Sequence, residues 1–179
     1  MSLILVTGGV RSGKSQFAEK LARDQGDRIL YVATGIPCDQ EMKQRVELHQ
    51  ERRPAGWGLV ESPYHLDAVL PKAHEYDAVL LDCLSSWISN RLIEVPEERI
   101  RDLQTARQIR EDLLHWLASV RRLPIPVIVV TGEVGLGGVA MSRLGRWFQD
   151  VLGESNQLVA GEADEVYAVI SGIPWRIKG

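Results

Sequence analysis

The sequence predicts an α/β protein with a mainly parallel sheet, built around a phosphate-binding loop and closed by a C-terminal antiparallel hairpin. Three observations predict it. The apolar run at 3–8 (LILVTG) breaks into glycines and resumes as an amphipathic helix pattern. Short β-rich runs recur with helical stretches between them, the order that gives parallel strands joined by crossover helices. At the end, 165–170 and 173–178 flank a Ser171-Gly172 turn signal, which reads as a hairpin.

Gly8, Gly13, Lys14 and Ser15 satisfy the spacing G-x-x-x-x-G-K-S. In such a loop the backbone N–H groups turn toward phosphate oxygens, and the helix N-terminus behind it adds favourable potential. Gly8, Gly9 and Gly13 let the backbone approach a polyphosphate closely. Lys14 reaches the β/γ oxygens as a point charge, and Ser15 offers a hydroxyl to Mg²⁺. The ligand class is a nucleoside triphosphate.

The chain has 179 residues, 45% of them hydrophobic, room for one well-buried core and one domain over 1–179. A net charge of −3 provides no basic field of the kind nucleic-acid binders use. Two isolated cysteines, Cys38 and Cys83, are too few for a disulfide framework and suit a reducing compartment. The opening residues run straight into the phosphate loop without a signal-type segment, and no apolar run reaches the ~20 residues that span a bilayer. A cytoplasmic protein without a transmembrane segment is expected.

The first helix, 13–23, carries Phe17, Ala18, Leu21 and Ala22 on one face and stops near Gly26. A strand follows at 28–34 (RILYVAT). Next comes a polar helix at 39–53, with Met42, Val46 and His49 on one face, ended by Pro54. A short strand at 58–61 and a helical stretch at 66–73 lead to the run at 77–82 (DAVLLD). Asp82 ends that run in a carboxylate, as in the magnesium-supporting strand of phosphate-loop enzymes, and should lie at the same sheet edge as Lys14 and Ser15. The competing reading makes Asp82 the cap of the helix at 83–93.

After Pro96 one long charged helix is expected to about Arg122, with Ile100, Leu103, Leu113, Leu114, Leu117 and Val120 inward. A β-branched buried strand occupies 124–131. The glycine-rich stretch 132–138 has the wrong spacing for a dinucleotide fingerprint and reads as a mobile loop over the active edge. A helix at 142–160, with Leu144, Phe148, Val151 and Leu158 as its stripe, precedes the hairpin.

None of the four histidines is paired at metal-ligand spacing. His115 reads as a helix-packing residue, and His65 and His74 as surface residues. His49 continues an apolar stripe, which suits a half-buried packing histidine. The alternative is chemical, because a neutral imidazole beside a triphosphate can attack an α-phosphorus as a covalent nucleophile. On these residues a small-metabolite kinase, a nucleotidyltransferase and a RecA-like ATPase or nucleotide switch all remain open.

Several further motifs narrow the choice: VTGGVRSGKS at 6–15, YVAT at 31–34, RVELHQERRP at 45–54, LLDCL at 80–84, WISN at 87–90, EVG at 133–135 and SGIP at 171–174. Together they resemble the bifunctional adenosylcobinamide kinase / adenosylcobinamide-phosphate guanylyltransferase family of cobalamin biosynthesis, essentially from end to end. The resemblance implies a RecA-like phosphate-loop fold assembled as a homotrimer. It implies two steps: ATP or GTP phosphorylates adenosylcobinamide, then GMP passes from GTP through a guanylyl-histidine to give adenosylcobinamide-GDP and pyrophosphate. His49 would be that histidine, with Lys14 as the other catalytic residue. Gly8, Gly9, Val10, Arg11, Ser12, Gly13, Lys14 and Ser15 would hold the phosphates. Thr34, Gly35, Ile36, Gln50, Glu51, Arg52, Arg53, Glu61 and Asp82 would line the nucleotide site, with Ser15 and Asp82 supporting Mg²⁺. Trp87 and Asn90 suggest themselves for the corrinoid, although a helical Trp is an ordinary core residue.

Two departures stand out. Leu48 occupies the place next to His49 where some relatives carry a second histidine, and Gly35-Ile36 replaces a more polar pair. Neither removes a group the chemistry requires. Lys14, Mg²⁺ and loop amides stabilise charge on phosphoryl oxygens whichever phosphorus is attacked, so one loop can serve both steps.

Overall fold

The computed structural model describes residues 2–36 and 56–179. The helix expected at 39–53 lies outside them. Seven strands form one sheet: β1 (Leu3–Gly8), β2 (Ile29–Ala33), β3 (Gly58–Glu61), β4 (Ala78–Asp82), β5 (Val127–Gly132), β6 (Glu165–Ile170) and β7 (Ile173–Lys178). Their order is β3-β2-β4-β5-β1-β6-β7, and every pairing is parallel except β6 with β7. The expected mainly parallel sheet with an antiparallel C-terminal hairpin is therefore the observed one. Pro174 sits on β7, an edge strand, where its missing N–H costs no ladder bond.

The central strands are apolar on both faces because both faces are covered. Ile4, Val6, Tyr31, Leu80, Ile128 and Val130 pack toward α1 (Lys14–Arg23), against Ala18 and Ala22. Leu3, Leu5, Leu30, Val32, Leu81 and Val129 pack on the other face against α2 (Leu84–Ile93), α3 (Leu103–Val120), α4 (Arg143–Glu162) and a 3-10 stretch at Leu66–Glu75.

The single long helix expected after Pro96 is divided. A 3-10 turn at Glu97–Arg99 is followed by Arg101 in the left-handed region, φ 75°, and α3 then starts afresh. Asp102 causes the restart: its carboxylate accepts from the Thr105 N–H at 3.1 Å and from the Thr105 hydroxyl at 2.8 Å, an N-cap. Helical phase shifts accordingly. Ile109, Leu113, Trp116, Leu117 and Val120 are buried, whereas Leu103 is 72% exposed and His115 lies on the solvent side instead of packing. In α4, Trp147, Leu152 and Val159 join Val151 in the buried stripe, and Leu144, Phe148 and Leu158 lie along its margin.

The glycine-rich loop after β5 is tied down rather than loose. Gln149 on α4 donates to the carbonyls of Val134 and Gly138 and accepts from the Ala140 N–H.

Candidate active site

The phosphate loop leaves β1 at Gly8 and enters α1 at Lys14. A Cβ on Gly8 would lie 2.5 Å from the Ser12 hydroxyl and 2.6 Å from the Val169 carbonyl, so no other residue fits there. Gly13 is the N-cap of α1 at φ 94° and contributes no side chain to cap it. The first amides of α1 thus have no side-chain acceptor, the state in which a helix start receives an anion. Gly9, Val10 and Arg11 are exposed, and the Lys14 ammonium folds back to donate to the Gly9 carbonyl at 3.0 Å. Ser12 is 8% exposed, and its hydroxyl is buried without a hydrogen-bond partner among the described residues.

Asp82 ends β4, and β5 lies between β4 and β1. At about 4.8 Å per strand its Cα is ~10 Å across the sheet from β1, at the same carboxyl edge. Its carboxylate accepts the Tyr31 hydroxyl at 2.9 Å. The cap of α2 is not Asp82 but Cys83, whose Sγ accepts from the Ser86 N–H. Burial pushes the Cys83 thiol up, and the neighbouring Asp82 charge adds to that.

Thr34 is fully buried and latches onto the same strand end. Its hydroxyl donates to the Cys83 carbonyl at 2.6 Å and accepts the Cys83 N–H at 2.9 Å. Gly35 and Ile36 are exposed beside a mostly apolar cavity of about 340 Å³ bounded by Tyr64, Asn90 and Ile93. Glu61 is exposed at the end of β3, four strands from β1. His49, Gln50, Glu51, Arg52 and Arg53 lie outside the described residues. The structure therefore brings Gly8 to Ser15, Thr34 to Ile36 and Asp82 to one edge, with Glu61 at its far end.

Asn90 and Trp87, considered for the corrinoid, are engaged internally. Asn90 Nδ2 donates to the carbonyls of Thr34 at 2.7 Å and Pro63 at 3.1 Å, joining two loops at the site's rim. Trp87 is buried and its indole N–H donates to the Tyr64 carbonyl at 2.9 Å. Three contributors escaped sequence reasoning: the Tyr31 hydroxyl, the Cys83 cap and the Gly172 amide, which donates to Ser12. All three lie within motifs noted above, YVAT, LLDCL and SGIP, but only the turn dipeptide of the terminal hairpin signals its geometry.

Comparison with known proteins agrees with this geometry. The model of the family described as cobinamide kinase / cobinamide phosphate guanyltransferase matches residues 4–177. The chain is 41% identical over 183 residues to the bifunctional adenosylcobalamin biosynthesis protein CobU of Escherichia coli (strain K12), spanning 98% of this chain and 99% of that protein. It is 40% identical over 181 residues to the protein of the same name from Salmonella typhimurium, with the same coverage. It is 38% identical over 176 residues to the bifunctional adenosylcobalamin biosynthesis protein CobP of Pseudomonas aeruginosa, spanning 98% of this chain and 96% of that protein. With a family model covering nearly the whole chain and a phosphate loop at its N-terminal strand, the chain belongs to the cobinamide kinase / cobinamide phosphate guanyltransferase family.

Proposed function

We propose that the chain phosphorylates adenosylcobinamide with ATP or GTP and then transfers GMP from GTP, through a guanylyl group on His49, to the phosphorylated corrinoid. The products of the second step are adenosylcobinamide-GDP and pyrophosphate. The observation that carries this reading is the loop from Gly8 to Ser15 at the start of an uncapped helix, in a chain of this family. Its amides and Lys14 stabilise charge on phosphoryl oxygens, and that stabilisation serves attack at either phosphorus.

The two steps differ in their nucleophile. In the first, the corrinoid hydroxyl attacks Pγ. In the second, His49 attacks Pα and releases pyrophosphate, and the corrinoid phosphate then takes the GMP. His49 must be neutral to attack, which a reference pKa of about 6.5 allows at physiological pH. Thr34, Gly35, Ile36, Gln50, Glu51, Arg52, Arg53 and Glu61 are assigned to the nucleotide.

Ser15 and Asp82 suit Mg²⁺: both are hard oxygen donors at the same sheet edge. Among the described residues no group of three or more His, Cys, Asp or Glu could hold a metal. When bound, Mg²⁺ neutralises charge developing on the transferred group. Assembly as a homotrimer is part of the same reading, and sedimentation of the purified chain tests it. Among the described residues no helix is long and apolar enough to cross a membrane.

The test uses α-labelled GTP and Mg²⁺ with the full chain, followed by quenching and acid treatment. Acid-labile label on the chain is expected. A His49→Ala variant that labels normally would remove His49 as the nucleophile.

A further inference from the structure

Three nucleophiles act in the proposed sequence, and they differ in one respect. A neutral imidazole attacks through a lone pair, and a phosphate monoester is already anionic, but the corrinoid hydroxyl carries a proton that must leave. Only the kinase step therefore needs a general base.

Three carboxylates among the described residues stand at the ends of the strands on the phosphate-loop edge: Glu61 on β3, Asp82 on β4, and Glu133, the first residue past β5. Strand spacing puts Glu61 about 19 Å and Asp82 about 10 Å across the sheet from β1, whereas β5 is the direct neighbour of β1 at about 5 Å. Asp82 also accepts the Tyr31 hydroxyl and faces the metal in the proposed reading.

The backbone that carries Glu133 is fixed from several sides. Its N–H donates to the carbonyl of Gly8, the first residue of the phosphate motif, at 3.0 Å. The preceding Gly132 donates to the Ser85 hydroxyl at 3.3 Å, and its carbonyl accepts from Asn156 at 3.0 Å. Asn156 is itself held by the buried Thr131 hydroxyl at 2.7 Å. The Glu133 side chain is half-buried; Oε1 accepts the Gly135 N–H at 2.6 Å, and Oε2 has no partner among the described residues. A carboxylate steadied by one amide, with its other oxygen available, is arranged to accept a proton.

We infer that Glu133 is the general base of the phosphorylation step, an assignment that rests on the bifunctional reading above. As the hydroxyl oxygen bonds to Pγ and the bond from Pγ to the β-phosphate oxygen breaks, the hydroxyl proton passes to Glu133. The nucleoside diphosphate leaves, and Glu133 then loses the proton to solvent. Guanylylation of the histidine bypasses Glu133.

The experiment compares full-length wild type, Glu133→Gln and Glu133→Asp in two assays: phosphoryl transfer from γ-labelled ATP to cobinamide, and labelling of the chain by α-labelled GTP. Glu133→Gln should lower phosphoryl transfer by about 10²–10⁴-fold, with chain labelling within about threefold of wild type. That labelling also reports that the variant is folded. Glu133→Asp should recover part of the lost rate. The assignment falls if Glu133→Gln phosphorylates within about fivefold of wild type, or if both activities drop together. A wild-type chain with neither activity removes the functional reading and this inference with it; a fully active wild type with an equally active Glu133→Gln removes this inference alone.

Discussion

The backbone N–H of Gly172 donates to the carbonyl of Ser12 at 2.8 Å, so the turn of the last hairpin rests on the phosphate loop. The contact is close: a Cβ on Gly13 would lie 3.2 Å from the Gly172 Cα. Ser171 and Gly172 both have positive φ, 53° and 82°, the geometry of a two-residue hairpin turn. The terminal hairpin and the phosphate loop thereby form one unit.

Gly172→Ala forces a side chain into the left-handed region at a cost of about 1–2 kcal/mol. Affinity for a non-hydrolysable GTP analogue, measured by calorimetry, should fall several-fold, while Ser171→Gly should leave it intact. Unchanged affinity in Gly172→Ala would mean that the turn abuts the loop without positioning it.

Lys14→Met should impair both half-reactions in parallel if, as proposed, the ammonium acts on phosphoryl charge common to both. Loss of one preorganised donor typically costs about 10²–10³ in rate. Phosphoryl transfer and chain guanylylation should be followed side by side; survival of either at near wild-type rate contradicts a shared role.

Cys83 caps α2 through its sulfur, and a hydroxyl can do the same. Cys83→Ser should therefore unfold at nearly the wild-type urea midpoint, whereas Cys83→Ala should lose about 1 kcal/mol. Equal midpoints for the two variants would show the cap to be unimportant.

Asp164, just past α4, ties β1 to the end of α3. Its carboxylate accepts the Leu3 N–H at 2.8 Å and an Arg121 guanidinium hydrogen at 3.0 Å. The Leu3 amide holds the carboxyl below its usual range, with Arg121 adding to that and burial opposing it. Since the folded value lies below the unfolded one, the stabilisation is complete above the unfolded pKa of about 3.9 and disappears as pH falls through the folded value. The Tm gap between wild type and Asp164→Asn should be open at neutral pH and close in acid. A gap that is constant with pH would assign the effect to packing.

Sheet and phosphate loop were legible because their signals are local. The runs at 3–6, 78–81 and 127–130 are apolar throughout, as strands covered on both faces must be, and the motif at 8–15 names its own geometry. Strand order was not legible: nothing in DAVLLD reports that β5 is inserted between Asp82 and the loop. The break before α3 is hidden in the sequence because Asp102 passes for one more charge of a long charged helix, when its carboxylate is a cap. Asn90 was read toward a ligand because an amide at a site's rim does not declare whether its partner is substrate or backbone. Sequence motifs indicate which groups converge; the hydrogen bonds that hold them come from residues distant in the chain.

Gly13, which offers no side chain to the first amides of α1, has a thermodynamic consequence beyond recognition. A ligand that satisfies those amides binds the folded chain and not the unfolded one, so occupancy and folding are linked quantities. At a free triphosphate concentration of about one hundred times Kd the linkage amounts to about 2.7 kcal/mol. With a triphosphate as that ligand, as proposed, the melting temperature should rise with its concentration, and with it the amount of intact enzyme at a given temperature.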